Sequence, residues 1–204
     1  MSKLRDFLRD KLGAEKLKKI ESKRIGIAGC GGLGSNCAFN LVRCGFTKLK
    51  LIDFDIIDDT NLNRQFYFSD QVNMVKVEAL AENLKRINKD IKLDLIQEKL
   101  EENNTEQLFS DCDIVVEAFD KSEYKGMIVS KLIKSNKFIV SASGLCGVGN
   151  SDDIKVHRIK KNLVIIGDLE SSVDKLPPLS PRVNVAAAKQ ADVILEHVLG
   201  ESNI

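Results

Sequence analysis

Between Arg24 and Gly34 the chain reads Arg-Ile-Gly-Ile-Ala-Gly-Cys-Gly-Gly-Leu-Gly, an apolar run passing into a turn with the spacing G-x-G-x-x-G. Glycine at 29 and 31 permits a tight turn and close approach of the backbone to a ligand. The amides at the start of the helix that follows present partial positive charge to a phosphate. Gly29, Gly31, Gly32 and Gly34 are therefore candidates for holding a phosphate group. Asp53 and Asp55 stand about 20 residues further on, at the end of the next apolar run, where a carboxylate can accept bonds from ribose hydroxyls. Turn and acids together point to a nucleotide. A glycine turn that only packs a helix against a sheet is the competing reading, and the register of strand, helix and acid weighs against it.

Such residues need a scaffold that gathers strand ends. From Arg24 onward short apolar runs alternate with longer amphipathic ones, the pattern of repeated βα units. This predicts an α/β, Rossmann-like fold: a mostly parallel sheet flanked by helices, with a small C-terminal antiparallel extension. Strands are expected over 24–28, 49–52, 91–96, 114–117 and 138–141, and helices over 34–43, 71–88, 101–109, 121–134 and 181–199. Beyond Ser141 the rhythm changes. Residues 153–158 and 162–166 read as a hairpin or two edge strands, followed by an irregular crossover through Pro178. Leu4, Phe7, Leu8, Leu12, Leu17 and Ile20, interrupted by Gly13, predict two short helices. No Pro/Gly/Ser-rich linker divides the chain, so 1–204 is expected to form one nucleotide-binding domain. Within it 1–22 is an N-terminal helical segment, and 150–204 supplies hairpin, crossover and final helix.

The segment Asp53-Phe-Asp55-Ile-Ile-Asp58-Asp59-Thr60-Asn61-Leu62-Asn63-Arg64-Gln65-Phe66 narrows the function. G-x-G-G-L-G, then D-x-D, then N-L-N-R-Q, then Lys76 resembles the ubiquitin-activating-enzyme superfamily, in the bacterial branch containing ThiF, MoeB and HesA. The likeness covers most of residues 24–149, and the short length with the run 61–70 looks most like the short ThiF type. The resemblance implies an adenylyltransferase that uses ATP and Mg²⁺ on the C-terminal glycine carboxylate of a small ubiquitin-like sulfur carrier, ThiS, in thiamine thiazole biosynthesis. Adenylation brings that carboxylate to the α-phosphate of ATP and expels pyrophosphate, so two anions must be held together and their charge neutralised. Arg64, with a forked guanidinium, and Lys76, a compact charge, are assigned to the triphosphate. By the same resemblance Asp55 binds the ribose, and the loop with Asn61, Asn63 and Gln65 wraps the nucleotide. The resemblance also implies that Asp120, after the fourth strand, holds Mg²⁺, a hard ion suited to oxygen ligands and water. Lys121 stands where the family usually carries Asn and is a further candidate nucleotide contact. Each residue also has a plain reading: Arg64 and Lys76 as solvated charges, and Asp120 as a helix cap. Their order and spacing in one chain favour the shared site.

The resemblance further implies a homodimer in which Arg5 or Arg9 reaches the partner's ATP; a basic, solvated helix face is the alternative. Longer relatives carry paired C-x-x-C motifs for structural zinc. The five cysteines here form no such pair, so no zinc is expected and reduced thiols in a cytoplasm are. Residues 150–204 contain no cysteine, which excludes a covalent thiol step from there. Cys146, in a glycine-rich turn, is the one late thiol and a weak candidate for reactivity. His157 and His197 lack partners at metal-ligand spacing. A net charge of +1 argues against nucleic acid or an anionic membrane surface as a partner, and no signal peptide or membrane span is visible. Three other functions compete. They are activation of another carrier or carboxylate (molybdopterin-type, peptide or tRNA-linked), an NAD-dependent oxidoreductase, and a nucleotide-sensing scaffold without catalysis. Residues 171–181, with three prolines, are a candidate clamp for an extended carrier tail.

Overall fold

The computed structural model describes residues 3–200, except the side chain of Ser122; residues 1–2 and 201–204 of the expected domain lie outside the description. Seven strands form one sheet: β1 (Ile25–Ala28), β2 (Lys48–Ile52), β3 (Lys92–Ile96), β4 (Ile114–Glu117), β5 (Phe138–Ala142), β6 (Lys155–Lys160) and β7 (Leu163–Gly167). Their order is β3-β2-β1-β4-β5-β7-β6. All neighbours are parallel except β6 and β7, so the expected extension is present. The second strand of that hairpin is not an edge, however. β7 pairs parallel with β5, and β6 is left outermost.

The central strands are buried on both faces, and their period-2 alternation sorts side chains between two cores. Ile25, Ile27, Ile114, Val116, Phe138 and Val140 face one core, shared with helices α2 (Ala14–Ser22), α3 (Gly32–Arg43), α4 (Lys76–Ile87) and α7 (Ser180–Leu199). Ala28, Ile52, Val115 and Ile139 face the other, closed by Phe109 and by Ile128 and Leu132 of α6 (Ser122–Leu132). The chain leaves β1 toward β2 on one side and returns to β4 on the other. The strand order therefore reverses between β1 and β4, which opens a crevice at their carboxyl ends.

Two helices depart from expectation. The one foreseen over 71–88 begins only at Lys76. Asn73 adopts a left-handed φ of 71°, and residues 55–57 pair with 73–76 through Asn73 N–H to Ile57 O, Ile57 N–H to Met74 O and Lys76 N–H to Asp55 O. Tertiary pairing thus takes the segment away from the helix. The helix foreseen over 101–109 shortens to α5 (Thr105–Leu108), because Asn104 Oδ1 accepts from the Glu101 amide at 2.8 Å and folds the entry into a turn. At the N-terminus α1 (Lys3–Leu12) and α2 break at Gly13, φ 83°, as its sequence suggests. No described helix is long and apolar enough to cross a membrane.

The start of α7 is anchored by Arg182, 6% exposed, which donates to Asp168 and to the carbonyls of Gly149 and Asn150. Asp168 Oδ1 accepts in addition from the amides of Glu170 and Ser171. Burial pushes the Asp168 carboxyl up, but those amides and Arg182 outweigh it and hold the group below its ordinary value.

A Cβ on Gly34 would lie 1.8 Å from the Gly29 carbonyl oxygen, whereas one on Gly126 in α6 would meet nothing within 4 Å. In urea unfolding, Gly34→Ala is expected to lose roughly 3 kcal/mol or more, and Gly126→Ala to gain roughly 0.5–1 kcal/mol. A depressed carboxyl contributes stability above its unfolded value of 3.8 and loses it as pH falls through the folded value. Asp168→Asn is therefore expected to be destabilised by about 3 kcal/mol at pH 7, with the gap to wild type closing in urea titrations below pH 3.8.

Candidate nucleotide site

The glycine turn sits at the mouth of the crevice. Gly29 takes φ 93°, and its amide donates to Ile52 O at 2.9 Å, tying the end of β1 to that of β2. Gly31 precedes α3 and no side chain caps that helix, which leaves its first-turn amides to an incoming acceptor. Three segments enclose the turn. The place a Cβ would occupy on Gly29 faces the Phe119 ring at 3.2 Å. That on Gly31 faces Gln65 Nε2 at 3.8 Å, and that on Gly32 faces the Arg64 stem at 3.4 Å and Val183 at 3.1 Å.

The two acids of D-x-D occupy different environments. Asp53 is buried and both its oxygens are used: Oδ2 accepts from the Cys30 amide at 2.6 Å and Oδ1 from the Asp55 amide at 2.8 Å. Burial pushes its carboxyl up, against the pull of Lys76 and these amides. Asp55 is exposed and holds Lys76 Nζ at 2.9 Å. Lys76 itself is only 6% exposed, and its charge acts on both Asp53 and Cys30, so the ammonium lies beside the turn.

The loop from Asp58 to Tyr67 is organised by its own polar side chains. Asp58 accepts from Thr60 N–H at 2.8 Å, and Asn61 Oδ1 accepts from Asp58 N–H at 3.2 Å, a reciprocal cap. Asn63 accepts from Arg64 Nη1 at 2.7 Å and donates to Pro178 O at 3.4 Å, so the loop touches the crossover. Arg64 Nη1 also donates to Thr60 O. Gln65 is buried, and its Oε1 has no hydrogen-bond partner among the described residues.

Three residues with no assigned role bind loop to turn. Asn36 Nδ2 bridges the carbonyls of Gly32 and Arg64 at 2.7 and 2.8 Å. Ser35 Oγ accepts from Phe66 N–H at 3.0 Å, and Tyr67 OH donates to Cys30 O at 2.7 Å. The one signal for them in the sequence is the polar pair Ser35-Asn36, four residues after Gly31-Gly32 near the start of a mostly apolar helix.

Asp120 and Lys121 follow β4 and are exposed. No group of three His, Cys, Asp or Glu able to hold a metal occurs among the described residues. A lone exposed carboxylate following the strand next to the glycine turn suits an ion that takes one or two carboxylates and keeps phosphate and water oxygens, as Mg²⁺ does. Cys146 is 4% exposed and burial pushes its thiol up, the opposite of what a reactive thiolate needs. Arg5 is engaged in its own chain by Glu21 at 2.6 Å, and Arg9 lies 3.7 Å from Asp6. The crossover reaches the glycine-rich turn as well, through Gly147 N–H to Pro177 O at 3.0 Å.

Among curated proteins the chain is similar to the ubiquitin-like modifier-activating enzyme 5 of Aedes aegypti, 43% identical over 76 residues, which is 37% of this chain and 19% of that protein. It is also similar to the adenylyltransferase and sulfurtransferase UBA4 of Candida glabrata, 33% identical over 128 residues, 62% of this chain and 30% of that one. The chain thus spans less than a third of the length of these relatives. Among solved structures it matches the E. coli tRNA N6-threonylcarbamoyladenosine dehydratase TcdA in complex with AMP. The TM-score is 0.81 at 22% identity, over 96% of this chain and 92% of that one. E. coli MccB with AMPCPP and MccA matches with a TM-score of 0.73 at 22% identity, over 92% and 59%. At such identities these structures share the fold. The sequence profile of the ThiF family matches residues 4–162, and the chain belongs to that family.

Proposed function

We propose that this protein binds ATP at the glycine turn and adenylates a carboxylate presented by a macromolecular partner. The observation that carries this is that two cations flank one uncapped helix start: the Arg64 stem lies on Gly32, and Lys76 is tied to Cys30 through the Tyr67 hydroxyl, which reaches both carbonyls. In the reaction a carboxylate oxygen attacks the α-phosphorus, an acyl–phosphate bond forms, the bond to the β-phosphate breaks, and pyrophosphate leaves with the electron pair. The α3 amides orient the phosphates, and Arg64 and Lys76 offset their charge. Lys76 is held by Asp55, and a triphosphate competing for it would free Asp55 for the ribose. Gln65 Oε1, a buried acceptor of the kind that costs about 1–3 kcal/mol unpaired, would gain a donor from a nucleotide hydroxyl. Mg²⁺ would be held by Asp120 and would neutralise the departing pyrophosphate.

The carboxylate is read as the C-terminal glycine of a ubiquitin-like carrier, with a ThiS-type protein, and so thiamine thiazole biosynthesis, the first to test; the names of the two curated relatives support a carrier of this kind. With it goes a homodimer in which Arg5 or Arg9 completes the partner's site. A second reading, a carboxylate on tRNA, is favoured by the near-equal length of the TcdA match.

Pyrophosphate exchange into ATP with Mg²⁺ tests both readings, using a Gly-Gly carrier, the same carrier without its last glycine, and threonylcarbamoyl-modified tRNA. Exchange that needs the intact carrier is expected, falling roughly 100-fold or more in Arg64→Ala and Asp120→Ala. Exchange with the modified tRNA alone moves the assignment to the second reading. No exchange with any carboxylate, despite ATP binding, removes adenylation.

A further inference from the structure

We propose that Glu117 is a positioning residue that sets where the Asp120 carboxylate stands relative to the glycine turn. The proposal rests on the assignment of Asp120 to Mg²⁺ given above. Glu117 ends β4 and is 0% exposed, yet it carries a carboxylate among the apolar side chains of the sheet. A buried charge destabilises a fold unless it is paired and hydrogen-bonded, and an apolar residue of similar volume is commonly as good or better for stability. A carboxylate there therefore calls for a use beyond filling space.

Its contacts show one. Oε1 accepts from the Phe119 amide at 2.7 Å, Oε2 accepts from Ser141 Oγ at 2.5 Å, and Lys125 Nζ stands 3.6 Å from Oε2 while donating to Ala142 O at 2.7 Å. The Glu117 carbonyl accepts from Gln190 Nε2 at 3.3 Å. The end of β4, the end of β5, helix α6 and helix α7 are thus gathered on one residue. The amide it fixes belongs to Phe119, whose ring lies against Gly29, and the next residue is Asp120. Asp120 is exposed, so the backbone that Glu117 holds at Phe119 is what places it relative to the glycine turn.

Length and polarity matter differently here. Glu117→Gln can still accept from Phe119 N–H and meet the Ser141 hydroxyl, whereas Glu117→Asp is one methylene too short to reach both. The test is calorimetric titration of ATP into the full-length protein with and without Mg²⁺, with thermal unfolding to check the fold. In Glu117→Asp the gain in ATP affinity from Mg²⁺ is expected to fall about tenfold, with Mg²⁺-free affinity unchanged within about twofold and Glu117→Gln within about threefold of wild type. Should Glu117→Asp not fold, Ser141→Ala, which keeps the carboxylate and removes one anchor, is expected to lose several-fold of the same gain. An unchanged gain in the folded variants overturns the proposal, as does an equal loss with and without Mg²⁺, which is the mark of a merely structural residue. A wild type that binds ATP without regard to Mg²⁺ removes the Asp120 assignment and this role with it, whereas a normal wild-type gain that the variants leave intact removes this role alone.

Discussion

Both oxygens of one buried carboxylate, Asp53, hold backbone amides: that of Cys30 in the glycine turn after β1 and that of Asp55 just past the end of β2. The remainder of the site hangs from this bridge. Through Cys30 it fixes the turn that begins α3, and through Asp55 it fixes the acid that holds Lys76. Burial pushes the Asp53 carboxyl up, so its ionised form works against folding and is sustained by Lys76 and the two amides. Positive charge is thereby kept at the mouth of the crevice by a negative charge beneath it, which is the arrangement an anionic ligand requires.

Paired charges occur toward both ends of the sheet. At the amino ends of the strands, Lys50 is buried and bonded to Asp111 at 2.6 Å and Leu108 O at 2.8 Å, with Arg24 bridging Asp94 and Asp111 at 3.1 Å each. Burial pushes Asp111 up, and Lys50 and Arg24 bring it below its ordinary value, so the charges of this network are compensated within it. At the carboxyl ends the hydrogen bonds of Arg64 go to neutral acceptors, Thr60 O and Asn63 Oδ1, which leaves its charge to a ligand. Unlike Lys76, Lys125 and Arg182, Arg64 hydrogen-bonds no carboxylate among the described residues, at the end of the sheet where doubly wound folds bind ligands.

Much of this was legible in the residues alone, for a physical reason. β1, β4 and β5 are buried on both faces and so read as continuous apolar runs, and the glycine turn is written in local spacing. What was hidden depends on partners distant in sequence. The start of α4 is set by the pairing of residues 55–57 with 73–76, which no helical periodicity reveals. D-x-D presents two equivalent acids, and only the fold buries one and exposes the other. Glu117 reads as the polar end of a strand until Ser141 and Lys125 are brought to it. Arg182 and Asp168 are two charges in a stretch of weak pattern, and nothing local marks them as a buried pair.

In the proposed function the cations at the glycine turn serve a triphosphate rather than the single pyrophosphate bridge of a dinucleotide. Equilibrium binding of ATP and of NAD⁺ to the wild type and to Arg64→Ala separates the two. Tighter binding of ATP than of NAD⁺, weakened about tenfold or more by the substitution, is the predicted result. NAD⁺ binding as tight as or tighter than ATP, with Arg64→Ala indifferent to both, would contradict it.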